Sequence, residues 1–398
     1  MLRSGLVGTI YTGLYAEQPH PPSQARDDSM TLMPALLVPF ILFASTAAAA
    51  EGVEFAGRWG GPAGAPVATY GGSSVLLSFE KSSFVAADFT VAGTVPWVTE
   101  SKLYIAVSID GGVPERIGLD RGQNQGVVLA SGLSSAVHVV TVRDDGEPYF
   151  GSLQFANPIL QTGGSWVKIS RDRPIIEVIG DSDATGICVL GPQSPATPAV
   201  LYTSAWASQT LSWPGLLEAS LAALGHPADV VDLAISGSNT TLEASTYDQA
   251  APFYDKSKFV EYPGHRRTSL AILWGGINDH KHGGELATGS PVTYSNLSPF
   301  QRGIYDQIVK IFAHSPEASI ALLDYIDPDV PDWKPAYMQL EKLFPAAQQK
   351  QMHFLAVYDP PRVSDACDVD PDGHPNLSMH ATYAAQILTW MIANHLVP

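Results

Sequence analysis

Residues Pro174 to Gly186 read P-I-I-E-V-I-G-D-S-D-A-T-G, and the apolar run Ile175 to Ile179 stops abruptly at Gly-Asp-Ser. Such a run, ended by a glycine turn, reads as a buried strand of a parallel sheet. The turn then sets Ser182 at the strand's carboxyl end, where open α/β sheets bind their ligands. Gly180 permits a tight backbone there, and Asp181 or Ser182 can cap a following helix. Gly-Asp-Ser is also a common turn with no chemistry, so the role of Ser182 depends on what else reaches that edge.

From about residue 172 strand and helix patterns alternate. Strands are predicted at Ile175 to Ile179, Val230 to Ala234, Leu270 to Trp274, Ile320 to Asp324 and His353 to Val357. Helices are predicted at Leu211 to Leu224, at Pro299 to Ala313, and from Leu377 or Ser378 to about His395. The second opens with Ser298 as its cap and Pro299 in its first turn, and sets Ile304, Ile308 and Phe312 on one face. Alternation of this kind predicts an α/β fold, a parallel sheet covered by helices on both faces.

Residues 51–165 follow another pattern. They show no helical periodicity, only short strand-like pieces at Ser74 to Phe79, Phe84 to Val91, Leu103 to Ile109, Gly126 to Leu129 and Ala136 to Val142. Turn clusters such as Ala63-Gly64-Ala65-Pro66, Asp110-Gly111-Gly112 and Asp144-Asp145-Gly146 separate them, which predicts an antiparallel β-sandwich. Trp59, Tyr70, Trp97 and Tyr104 suit its core better than a sugar platform. The join at Gln161 to Ser170 is short, so the sandwich (51–165) and the α/β domain (172–398) are expected to pack together.

Residues 1–50 read as a leader. Met30 to Ala50 carries no charge and ends in the small residues Ser45 to Ala50, as a signal peptide with a cleavage site does. Pro34 and Pro39 shorten the apolar run and disfavour a retained membrane anchor. Proline-rich Gln18 to Ser23 and acidic Asp27-Asp28 stand where a basic flank is expected, which translation from Met30 or Met33 would explain. The expected location is secreted or periplasmic. A net charge of −17 argues against nucleic acid and against attachment to anionic lipid. Cys188 and Cys367, the only cysteines, exclude a disulfide-dense scaffold. They read as two separate thiols, although an oxidising compartment would permit a bridge if both segments meet at one site.

Three further stretches end predicted strands in polar residues. Val230 to Ile235 runs into Ser236-Gly237-Ser238-Asn239, and Leu270 to Trp274 runs into Gly275-Gly276-Ile277-Asn278-Asp279. Asp370-Pro371-Asp372-Gly373-His374-Pro375-Asn376 opens the last helix. In a parallel sheet these tips converge on the edge that carries Ser182. Ester cleavage through a serine needs a hydroxyl, an imidazole to take its proton, donors for the oxyanion and an orienter for the imidazole. Ser182 and His374 supply the first two. The backbone N–H groups of Ser182 and Gly237 and the amide of Asn278 supply the donors. Asp372, or alternatively Asp370, is the candidate orienter.

These four stretches resemble the blocks of the SGNH, or GDSL-type, hydrolase superfamily. Gly180-Asp181-Ser182 resembles its first block and Gly237 the glycine of its second. Gly276-Ile277-Asn278-Asp279 matches the G-x-N-D of its third, and His374-Pro375 the H-P of its fifth. Within the superfamily the chain is most similar to carbohydrate esterase family 2, in which a jelly-roll-like, carbohydrate-binding-like sandwich precedes the catalytic domain. Phe55-Ala56-Gly57-Arg58-Trp59, Ser212-Trp213-Pro214-Gly215-Leu216-Leu217 and the final block with His380 carry that similarity. The resemblance implies removal of O-acetyl groups from carbohydrate such as xylan or glucomannan, with no cofactor and no metal. Lipid, thioester or arylester hydrolysis is the alternative of the same chemistry, and non-catalytic carbohydrate binding the alternative of another class.

Two departures stand out: Asp183 where an apolar residue is usual, and Pro371 three residues before His374, so that the usual D-x-x-H is absent. Some family members are thought to orient the histidine by a main-chain carbonyl, and the spacing here resembles theirs. Trp213, Trp333 and Tyr337 are candidate sugar contacts. His280 and His282 lack the further ligands that a metal site needs, and read as loop residues.

Overall fold

All six residues of the strand Ile175–Gly180 are buried, because the strand has a parallel neighbour on each side. The computed structural model describes residues 51–93, 102–169, 172–191, 203–252, 260–262, 266–281, 293–326, 332–358 and 374–398. The leader, Trp97, His282, Cys367, Asp370 and Asp372 lie outside them.

The parallel sheet has the order Asp229–Asp232, Ile175–Gly180, Thr268–Trp274, Ser319–Ile326, Met352–Tyr358, so each predicted strand of the α/β domain is present. Two helix pairs flank it: Trp213–Ala223 packs with Leu377–Ala393, and Thr240–Thr246 with Pro299–His314. Their starts follow local chemistry. The Ser298 hydroxyl accepts from Gln301 N at 3.2 Å while Gln301 Oε1 accepts from Ser298 N at 3.2 Å, a reciprocal cap. Ile304, Ile308 and Phe312 then turn inward as their spacing predicts. The last helix is capped by Asn376, whose Oδ1 accepts from Met379 N at 3.0 Å.

The described residues from 51 to 169 form two antiparallel sheets. One runs Val53–Ala56, Ser74–Glu80, His138–Asp144, Lys102–Ile109, Glu115–Asp120, with Ser165–Trp166 added along Ser74–Glu80. The other runs Val67–Ala68, Ser152–Leu160, Phe84–Ala92, Gly122–Ser131. Alternate residues such as Val75, Leu77 and Phe79 on the first sheet and Phe89, Val91, Leu153 and Phe155 on the second share one core. Trp59 is buried in this core as expected, whereas Tyr70 is buried in the core of the parallel-sheet domain, its hydroxyl donating to the Thr246 carbonyl at 3.3 Å. The strand Ser152–Leu160 was not expected, because Asn157 at φ 48° and Pro158 interrupt its pattern.

A buried ion pair ties the sandwich to the sheet. Glu177 lies in the middle of the apolar strand, and its Oε1 meets Arg58 Nη2 at 2.7 Å, with both side chains almost fully buried. Its other oxygen accepts from Tyr247 Oη at 2.8 Å and Thr268 Oγ1 at 2.9 Å. The Arg58 guanidinium also lies over the Tyr247 ring, 4.5 Å from its centre. Burial by itself raises a carboxyl, but the Arg58 charge and these hydrogen bonds hold Glu177 below the usual carboxylate range. Further along, Arg116 pairs with Asp145 at 2.7 Å and donates to the carbonyls of Ser204 and Ala205. Arg58→Met leaves Glu177 buried without its cation, and is expected to cost about 3–5 kcal/mol of stability. Denaturant titration checks this, and adding Glu177→Gln to the same variant should recover part of the loss.

Cys188 is disulfide-bonded, which corrects the reading of two separate thiols.

Candidate active site

Gly180 is where strand geometry becomes site geometry. A Cβ there would lie 2.3 Å from the Trp274 carbonyl oxygen, so only glycine lets the two strand ends run this close. The Gly180 carbonyl then accepts from Ile235 N at 3.0 Å and from Ser238 Oγ at 3.1 Å, binding the next tip to the first. The backbone after it does not enter a regular helix. Asp181 Oδ1 accepts from Asp183 N at 3.1 Å, and consecutive turns follow through residue 190. Asp181 therefore caps a turn, not the helix expected. Ser182 emerges from this turn half-buried, its carbonyl held by Thr185 Oγ1 at 3.1 Å. Asp183, the unusual residue after it, is buried.

Gly237 occupies the tight turn in which Ser238 N donates to Ile235 O at 3.0 Å. Its φ of +70° is the region that glycine adopts without strain. The residue is exposed, and an added Cβ would meet only the Tyr149 hydroxyl, at 3.4 Å. Asn278, in the single helical turn Ile277–Lys281, donates from Nδ2 to the Ser238 carbonyl at 2.8 Å. A primary amide has two N–H bonds, so one fixes the side chain to the Gly237 turn and the other is available to a ligand. Asp279 beside it accepts from Thr240 N and Thr240 Oγ1, both at 3.0 Å, and anchors the helical turn from behind.

His374 stands half-buried just before the final helix. That helix is tied to the same region: Trp213 N donates to His380 Nδ1 at 3.1 Å, Trp213 stacks on Trp274 at 4.8 Å, and Tyr383 meets Trp274 edge-on at 5.2 Å. Burial, together with the field of His374, pushes the His380 imidazole down to about 3, so it is neutral at any ordinary pH. The Gly237 turn is thus bound both to Gly180, two residues before Ser182, and to Asn278, while His374 stands before the helix docked on Trp274.

Buried carboxyls support the cluster. Glu243 Oε1 lies 2.8 Å from Ser238 Oγ, and burial pushes Glu243 up to about 7. The Ser238 hydroxyl lies within donating distance of both Glu243 Oε1 and the Gly180 carbonyl, so the carboxyl helps to fix the hydroxyl beside the turn. Glu147, from the sandwich, accepts from Ser236 N at 3.0 Å and is likewise raised by burial to about 7.

The three aromatic sugar contacts are not borne by the structure. Trp213 (0% exposed), Trp333 (3%) and Tyr337 (1%) are core residues. Trp213 packs between helix and sheet, while Trp333 and Tyr337 pack on Phe300 at 5.5 and 6.0 Å. His280 is exposed, and the described residues contain no group of three or more side chains able to hold a metal. The sequence reading missed Glu147 and Tyr149. The acidic run from Asp144 to Glu147, read only as a turn, was the available signal.

Asn278→Ala is expected to lower kcat of an ester substrate by about 100- to 1,000-fold with a smaller change in KM. Steady-state kinetics check this, and an unchanged kcat would reduce Asn278 to a turn residue.

Residues 178–382 match the GDSL-like lipase/acylhydrolase family, and residues 55–168 match the carbohydrate esterase 2 N-terminal family. No curated protein matches the chain. Several solved structures share its fold. A family two carbohydrate esterase from Clostridium thermocellum in complex with cellohexaose is 16% identical, over 86% of this chain and 99% of that one, with a TM-score of 0.65. A carbohydrate esterase family 2 enzyme with a carbohydrate binding domain, from Corynascus thermopiles (Myceliophthora fergusii), is 23% identical over 86% and 98%, with a TM-score of 0.63. An acetyl xylan esterase from the rumen bacterium Butyrivibrio proteoclasticus is 14% identical over 87% and 96%, with a TM-score of 0.67.

Proposed function

The chain belongs to the GDSL-like lipase/acylhydrolase family, and from that premise we propose that it is an exported serine esterase that removes O-acetyl groups from carbohydrate through an acyl-enzyme. The observation that carries the reading is the cluster at one sheet edge, in which Gly180 holds the Gly237 turn and Asn278 binds the same turn through Ser238. The carbohydrate esterase 2 N-terminal match supports a sugar substrate, as does the cellohexaose bound by the Clostridium relative. The acetyl xylan esterase among the neighbours supports acetate as the acyl group.

In this mechanism Ser182 Oγ attacks the acetyl carbonyl as His374 takes its proton. The carbonyl oxygen becomes an oxyanion held by the N–H groups of Ser182 and Gly237 and the second N–H of Asn278. Collapse expels the sugar oxygen, which receives the proton from His374 and leaves as an alcohol. Water, deprotonated by His374, then attacks the acetyl-serine; the acyl–Oγ bond breaks, acetate is released and His374 returns the proton to Ser182 Oγ. No step requires a metal or cofactor. Export rests on the uncharged run Met30 to Ala50, and the amino terminus of protein recovered outside the cytoplasm tests it.

Acetate release from acetylated xylan, acetylated glucomannan and 4-nitrophenyl acetate, measured side by side, tests the activity. Release from at least one polymer is expected, with 4-nitrophenyl octanoate much slower than the acetate. A preference for the octanoate would replace the carbohydrate reading with a lipid one.

A further inference from the structure

Glu147 reaches the candidate oxyanion hole from the other domain. It is 2% exposed, and its Oε2 accepts from the backbone N–H of Ser236 at 3.0 Å, one residue before Gly237. The Ser236 side chain meets the same carboxyl, so Glu147 holds that residue through both its backbone and its hydroxyl.

The base from which Glu147 projects is rigid. Pro148 opens the short 3-10 turn Pro148–Phe150, Phe150 N donates to the Glu147 carbonyl at 3.0 Å, and Phe150 is fully buried in the sandwich core. On the other side Asp145 is held by Arg116 at 2.7 Å, and also accepts from Ser208 Oγ at 3.0 Å and Thr210 N at 2.8 Å. Two residues after Glu147, the half-buried Tyr149 brings its hydroxyl to the open side of Gly237. The turn itself is exposed at Gly237, and a glycine in a tight turn is free to move unless its neighbours are pinned. An oxyanion donor acts only when fixed in advance, and a displacement of about 1 Å can cost about 100-fold in rate.

We propose that Glu147 is a positioning residue for the reaction: it pins the Ser236–Gly237 turn so that the Gly237 N–H points at the oxyanion, which makes the sandwich part of the catalytic apparatus. This rests on the esterase reading above. Glu147 touches no substrate, and acts through the peptide that it holds. A glutamine keeps a carbonyl oxygen for the Ser236 N–H, whereas an alanine leaves that N–H buried without an acceptor.

The test uses the full chain with 4-nitrophenyl acetate, and counts active sites by the end point of labelling with a serine-reactive phosphonate. Wild type is first compared with Ser182→Ala. Equal rates for these two would overturn the esterase reading and this proposal with it. Given an active parent, Glu147→Ala is expected to lower kcat per active site by about 10- to 100-fold while KM changes less than about 3-fold. Glu147→Gln is expected to stay within about 3-fold of the parent. If Glu147→Ala does not fold, Glu147→Asp, which draws the acceptor back by one methylene, should show the same kcat-selective loss at smaller size. An unchanged kcat per active site in the alanine or aspartate variant would overturn the proposal. So would equal losses in the alanine and glutamine variants, or a loss confined to KM.

Discussion

Ser182→Ala is expected to fold as the parent does and to lose about a million-fold in kcat, as serine hydrolases do when the nucleophile is removed. The fold should survive because the turn around residue 182 is held by groups that the substitution keeps. Thr185 binds the Ser182 carbonyl, and Asp181 holds Asp183 N. What disappears is the oxygen that forms the acyl-enzyme. The donors remain, so binding of substrate, and a small residual rate over water, should persist. Matched circular dichroism and melting curves, with acetate release followed to long times, check both halves. Full acetate release by the variant would reject a serine mechanism. A parent as slow as the variant, with carbohydrate binding intact, would favour the binding protein instead.

The backbone of the site was legible because each part carries a local signal. Apolar runs that stop at Gly-Asp-Ser, Ser-Gly-Ser and Gly-Gly-Ile-Asn-Asp mark strand ends, and a parallel sheet gathers strand ends at one edge. Gly180 and Gly237 were readable for the same reason, since close approach and positive φ leave few other residue types. The helix start at Ser298 was also plain, since a capping serine followed by Pro299 marks the first turn.

Side-chain burial was less legible. Trp333 and Tyr337 follow the strand end at Asp324, which made them candidate sugar contacts with core packing as the equal alternative. The helix Lys334–Glu341 lies there, and Trp333, Tyr337, Leu340 and Phe344 form one inward stripe. Trp213, Leu217 and Leu221 do the same on their helix. Both periodicities are written in the sequence, and they, not the aromatic character, decide where these side chains lie.

Contacts between the domains were the least legible, because nothing local announces them. Glu177 in an apolar strand signals that a buried cation must exist, yet its partner lies 119 positions away at Arg58. Glu147 is 89 positions from Ser236. In each case the acid was the anomaly, and only the fold supplied its partner.

His374→Ala is expected to approach the Ser182→Ala loss, while Asp370→Ala and Asp372→Ala keep most of the rate. A general-base imidazole needs an acceptor at one nitrogen so that the other faces the serine. Pro371 occupies the position three before His374 where the superfamily places that acid, leaving Asp372 and Asp370 two and four residues upstream. One competing role for Asp372 is removed: the final helix takes its cap from Asn376. A main-chain carbonyl would serve as acceptor without an acid, since it fixes the tautomer but brings no full charge to the imidazolium. The three variants separate these cases by kcat on 4-nitrophenyl acetate. In a dyad only the histidine variant collapses. A loss of about 10,000-fold in one aspartate variant, the size seen when a triad acid is replaced, would reject the dyad and identify that residue as the acid. A small, equal loss in both would assign them to local structure around the histidine, and leave a backbone carbonyl as the group that orients it.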